Sequence, residues 1–111
     1  MKYLMLVCVD ESVELSPAER AEMPAATEAW VSEMDSKGIR LLGNQVAPLS
    51  DATTVRVRDA GVLLGDGPFA ETKEQIAGFD LLECADLDEA IEVASRHPVA
   101  RFGALQIRPF M

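Results

Sequence analysis

The sequence predicts an α+β domain in the order β-α-β-(hairpin)-β-α-β over an antiparallel sheet. Three observations carry this. The stretch from Tyr3 to Val9 is apolar on both of its alternating faces, as a central strand covered on two sides must be. Helix-start chemistry occurs twice, at Ser16-Pro17-Ala18-Glu19 and at Asp86. Between them, Thr53 to Arg58 alternates valine with arginine and turns back through Asp59-Ala60-Gly61, the mark of a hairpin.

Taken in order, Tyr3/Met5/Val7/Val9 and Leu4/Leu6/Cys8 are the two faces of the first strand. Helices can cover one. A chain of 111 residues has little material for the other, which points to a second copy and hence a homodimer. Ser16 is the N-cap of the first helix, Pro17 its first residue and Glu19 the closing member of a capping box. Pro24 is expected to kink or restart this helix. Met23, Thr27, Trp30 and Met34 recur at helical spacing as its core stripe, and Gly38 ends it. Ile39 to Val46 reads as a strand with a bulge at Gly43, and Pro48 to Ala52 as a loop. The hairpin spans Thr53 to Gly65. Phe79 to Cys84 is a further strand, Asp86 caps a helix with Leu87, Ala90, Ile91 and Ala94 on one face, and Phe102 to Arg108 closes the chain as a strand. That order is a ferredoxin-like split with an inserted hairpin.

Length bounds the chain to one domain, 1–111, with a core of its own. A net charge of −9 argues against nucleic acid, whose binding needs a basic stripe, and favours solubility. No apolar run approaches the ~20 residues of a membrane helix. The start, Met1-Lys2-Tyr3-Leu4, meets Asp10-Glu11 without a signal-peptide cleavage region, so a cytoplasmic protein with no membrane contact is expected. Cys8 and Cys84 lie in apolar runs and are expected to be reduced and unpaired. Metal-ligand spacing, a P-loop, GxGxxG and GxSxG are all absent, so neither cofactor nor metal is expected.

The densest run of turn-forming and ionisable residues is Asp66-Gly67-Pro68-Phe69-Ala70-Glu71-Thr72-Lys73-Glu74. Asp-Gly is strong turn chemistry, and Pro68 forbids a continuing central strand. Asp66 either holds the turn by accepting backbone N–H groups or serves as a base or ligand anchor. Phe69 packs. Glu71, Lys73 and Glu74 form a solvated loop or one helical turn, with the Lys73 ammonium as the candidate holder of an anionic group. Arg108 either binds a carboxylate or pairs across a dimer. His97, the one histidine, stands at the end of the second helix, where an imidazolium would complement the helix dipole. The candidate catalytic residues are therefore Asp66 and Lys73, and the candidate ligand-binding residues Asp66, Phe69, Glu71, Lys73 and Arg108.

Asp66-Gly67-Pro68-Phe69, followed by Glu71, Lys73-Glu74 and Gly78-Phe79, resembles the signature of the DGPF family within the wider YCII-related group. The start "MKYLML", the stretch "TTVRVRD" and the Arg108-Pro109 ending extend the likeness over nearly the whole chain. The resemblance implies chains that pair into a dimeric α+β barrel. It implies no settled activity; the clustered carboxylates and Lys73 motivate a small-molecule pocket between sheet and helices, with a minor enzyme of the isomerase or lyase kind as one form of it. Because the family is often encoded beside extracytoplasmic-function sigma factors, the resemblance also implies a regulatory or protein-interaction module as the alternative. Two departures matter. A phenylalanine, Phe79, stands where members often carry tyrosine, and Gln106 replaces a carboxylate in the common Glu-Val-Arg-Pro ending. Neither position can then supply a hydroxyl or a base. The His-Asp pair of the isomerase-like relatives has no counterpart at His97.

Overall fold

The computed structural model describes residues 1–67 and 73–111. Its strands are β1 (Lys2–Asp10), β2 (Arg40–Gln45), β3 (Thr53–Arg58), β4 (Gly61–Asp66), β5 (Glu74–Glu83) and β6 (Ala104–Pro109). Two helices, α1 (Pro17–Ser36) and α2 (Leu87–Ser95), follow β1 and β5. The main sheet has the order β2-β5-β1-β6 with antiparallel pairing throughout, and β3-β4 form a separate two-stranded sheet. The expected order of elements is the observed one.

β1 is central, pairing with β5 on one side and β6 on the other. Tyr3, Met5 and Val7 point to the helices and are buried with Trp30 and Met34 of α1, Leu82 of β5, and Ala90, Val93 and Ala94 of α2. Both helices therefore cover the same face. The opposite face carries Leu4, Leu6 and Cys8 of β1, which register aligns with Leu81, Phe79 and Ile76 of β5. No helix covers it, and Leu42 and Ile76 at its margin are about half exposed or more. Cys8 and Cys84 are both free, at opposite ends of the β1–β5 pair.

Local chemistry explains the element boundaries. The Ser16 side chain accepts from the Glu19 N–H, and the Glu19 carboxylate accepts in return from the Ser16 N–H, at 3.1 and 3.0 Å. Gly38, at φ +69°, ends α1: its N–H reaches Asp35 O and the Ile39 N–H reaches Met34 O, both at 3.0 Å. Pro24 does not restart the helix. It removes one backbone donor on the exposed side of a twenty-residue helix, where water can satisfy the carbonyl it leaves open.

Three further expectations are corrected. The register shift in β2 falls between Arg40 and Leu42, not at Gly43, which instead gives room to Asp80 on the neighbouring strand. β5 begins at Glu74, five residues before Phe79, so Glu74 belongs to a strand rather than to a helical turn. The buried face of α2 is Ala90, Val93 and Ala94, whereas Leu87 and Ile91 are half exposed. Small alanines let the helix sit close to the sheet on that side.

A Cβ at position 43 would collide with the Asp80 carboxylate and lie only 2.8 Å from the Phe79 carbonyl. Gly43→Ala is therefore expected to cost about 1–3 kcal/mol, the usual penalty of overpacking. Urea denaturation checks this, and a midpoint unchanged from wild type would contradict it.

Candidate functional site

A cavity of about 660 Å³ opens between α1, from Arg20 to Val31, and the helix-facing side of the sheet. Val7 and Val9 of β1, Met23 and Val31 of α1, and Val99 and Phe102 after α2 make its walls apolar. Asp80, Arg40 and His97, together with the exposed Arg20 and Glu28 of α1, bring ionisable groups to the lining. The first three each arrive there for a local reason. Asp80 alternates in phase with Gly78 and Leu82 on the buried face of β5. Arg40 starts β2 directly after the Gly38 turn, in register with Leu82. His97 follows α2 and caps the short 3-10 turn Pro98–Arg101.

Asp80 is 6% exposed, and its Oδ1 accepts from Arg40 Nε at 2.7 Å. Each Arg40 nitrogen has a partner: one terminal nitrogen donates to Asp35 Oδ1 at 3.2 Å and the other to the Gly43 carbonyl at 2.9 Å. Burial outweighs the pull of the guanidinium, and the Asp80 carboxyl sits above the usual aspartate range. His97 is 5% exposed, its Nδ1 accepts from the Val99 N–H at 3.1 Å, and its ring meets Trp30 edge-on at 4.8 Å. Burial lowers its pKa to about 4. The expected imidazolium at a helix end is thus overturned: this histidine is neutral at physiological pH and belongs to the cavity.

Of the residues singled out from sequence, Asp66, Lys73 and Arg108 lie elsewhere. Asp66 ends β4 as an exposed residue, and among the described residues its carboxylate makes no hydrogen bond. The backbone donors it was expected to hold follow Gly67 and lie outside the described residues; within them, the Gly67 N–H donates to Ala52 O at 2.6 Å, and the Thr54 hydroxyl to Gly67 O at 2.8 Å. Lys73 precedes β5, with Nζ 3.7 Å from Asp10 Oδ2. Hydrogen bonds from Ser12, aided by Lys73, hold the Asp10 carboxyl below its usual range. Arg108 is exposed on β6, opposite Leu4 and hence on the uncovered sheet face. Phe69 and Glu71 lie outside the described residues. The cavity thus gathers none of Asp66, Lys73 and Arg108. Among the described residues no group of three or more His, Cys, Asp or Glu could hold a metal, and no helix is long and apolar enough to cross a membrane.

Comparison with known proteins follows the same lines. The YCII-related domain model matches residues 1–111. An uncharacterised protein, R00369, of Rhizobium meliloti (strain 1021) is 33% identical over 126 aligned positions, covering 98% of this chain and 91% of that one. Among solved structures, the 5-chloro-2-hydroxyhydroquinone dehydrochlorinase TftG from Burkholderia phenoliruptrix AC1100, in complex with 2,5-dihydroxybenzoquinone, superposes with a TM-score of 0.53. It is 14% identical, and the match covers 100% of this chain and 94% of that one, so the two share a fold. The chain belongs to the YCII-related family, as its Asp-Gly-Pro-Phe signature implied.

Two outcomes follow from the site's electrostatics. Arg40→Met leaves the Asp80 carboxylate buried without its partner, and a loss of about 3–5 kcal/mol is expected by urea denaturation. His97 acts through pH. Its folded pKa lies below its unfolded value of 6.5, so below 6.5 the unfolded chain binds a proton that the folded chain refuses. Stability should fall as pH drops from 6.5 toward about 4 and be flat above. The shift bounds the loss at about 3 kcal/mol, less whatever solvent in the cavity screens. Stability curves of wild type and His97→Asn should converge across this window, and parallel curves would refute the assignment.

Proposed function

We propose that this YCII-related chain is a homodimeric protein that binds a small, mostly apolar, ring-sized molecule between α1 and the sheet. One observation carries the reading: an apolar-walled cavity of about 660 Å³ converges on a buried carboxylate and a buried imidazole. Its size falls in the range of small-molecule sites, and a few placed polar groups within apolar walls are their usual lining. Burying an ion pair is, for stability alone, no better than an apolar pair of equal volume. Asp80 and Arg40 are thus better explained by recognition than by folding. The complex of TftG with a small cyclic quinone supports a ligand of that size on this fold.

The second copy is motivated by the sheet. Leu4, Leu6 and Leu81 line a face that no helix covers, and a partner packing there would bury it. Arg108, on the same face, would then stand in the enclosed space as a cation for a ligand carboxylate or a partner side chain. Asp66 and Lys73, at the end of β4 and the start of β5, belong to this proposal as candidate ligand contacts, as do Phe69 and Glu71 of the run between them.

A second reading rests on the hairpin. Val55, Val57, Val62 and Leu64 share one face of β3-β4 by register and are 60–71% exposed. A surface of that kind suits contact with another protein, the regulatory alternative that the family resemblance raises.

Light scattering at micromolar concentration is expected to give twice the chain mass of 12.0 kDa, and a monomer mass would overturn the dimer. For the ligand, thermal shift against a panel of small cyclic compounds should give hits that stabilise wild type. At a hundred-fold excess over Kd the gain is about 2.7 kcal/mol. Asp80→Asn should weaken them; hits indifferent to that substitution, or none at all, would remove the cavity reading.

A further inference from the structure

We infer that His97 is the selectivity residue of this cavity, its Nε2–H acting as a fixed donor that favours uncharged molecules bearing a carbonyl or similar acceptor oxygen. The inference rests on the cavity reading above and deepens it. Nδ1 is occupied as the acceptor for the Val99 N–H, so the proton of the neutral ring resides on Nε2. The edge contact with Trp30, whose own Nε1–H is spent on Val93 O at 3.0 Å, fixes the ring plane. Nε2 has no hydrogen-bond partner among the described residues, although the residue is 95% removed from solvent. Among those residues no sealed side-chain nitrogen or oxygen lacks a partner, so Nε2 is not sealed, and the cavity is a space that His97 lines.

The preference for an uncharged acceptor follows from the neighbours. Of the two cations in the lining, Arg40 has a protein partner at each nitrogen, Asp80, Asp35 and Gly43, and Arg20 lies on the exposed side of α1. Arg40 is thus held by the protein's own acceptors. Asp80 adds a carboxylate to the same lining, which disfavours a second negative charge. A neutral imidazole donor loses little on desolvation compared with an ammonium, and burial keeps it neutral well below pH 6.5. The His97 donor is buried among apolar walls, whereas Arg20 and Glu28 of the same lining are exposed. A ligand that satisfies the donor gains a hydrogen bond, and one that buries it without an acceptor incurs a desolvation penalty.

The test uses two ligands of one shape, acetophenone and ethylbenzene, which differ only in a carbonyl oxygen, titrated into the full chain and followed by NMR. Wild type should bind the ketone about ten-fold more tightly than the hydrocarbon. His97→Asn retains an acceptor for the Val99 N–H but cannot place a donor at Nε2. It should fold and bind the two ligands equally, chiefly through weaker binding of the ketone. In wild type, the imidazole proton should be seen on Nε2 and should shift with acetophenone but not with ethylbenzene, a readout that does not need the variant to fold. Equal affinities in wild type, a proton on Nδ1, or a discrimination that survives His97→Asn would overturn the inference while leaving the cavity reading intact. If neither compound binds wild type, the cavity reading itself falls, and the inference with it.

Discussion

The two-sided burial requirement of β1 governs this structure. A strand hydrogen-bonded on both edges and apolar on both faces cannot face water on either side without cost, since each fully exposed valine or leucine forfeits about 1.5–3 kcal/mol. Tyr3, Met5 and Val7 satisfy one face by recruiting both helices. Both helices being on that side, Leu4, Leu6 and the residues paired with them are left to another solution. The hairpin does not supply it, because β3 and β4 form their own sheet. Its separateness also accounts for a radius of gyration of 16.0 Å, against about 13 Å for a compact chain of this length.

The cavity is a consequence of the same geometry. α1 buries Trp30 and Met34 toward its C-terminal end, whereas Met23 and Thr27, nearer its start, are only partly covered. The helix therefore closes tightly on the sheet at one end and leaves a space at the other. Asp80 and Arg40 lie where closed meets open, on the buried face of the sheet but beside the space. Gly43 makes this possible, since any side chain there would occupy the volume of the Asp80 carboxylate. The pair and the glycine are one unit: strand β2 carries the cation at one position and the vacancy for its partner three residues later.

What could be seen in the sequence was local chemistry. The capping box at Ser16, the glycine turn at Gly38, the Asp86 cap and the hairpin pairing all involve residues within a few positions of one another, and each is found as read. The site was not legible for the complementary reason. Asp80 and Arg40 are separated by forty residues, and nothing near either announces the other. A signal did exist: Asp80 stands in phase with Gly78 and Leu82 in a strand beside the doubly apolar β1, where a charged residue requires a partner. The search was drawn instead to the charge-rich run after β4, because density of ionisable groups is easier to see than burial of one. Solvated charges cluster freely; buried ones are few.

His97 shows how the same reasoning can invert a residue's charge state. Its position after a helix suggested a cation answering the helix dipole, an effect worth about 0.3–1 kcal/mol at an exposed site. That estimate assumes water around the ring. Here the chain turns at Pro98 into a short helical turn packed against β1 and β6, which carries the ring inward beside Trp30. Desolvation then opposes the charge by more than the dipole favours it, and the carboxylate of Asp80 lines the same cavity without reversing the balance. The histidine is left with Nδ1 serving the fold and Nε2 without a partner among the described residues. The hydrogen bond that begins the Pro98–Arg101 turn thus also decides which nitrogen of a cavity-lining ring carries the proton.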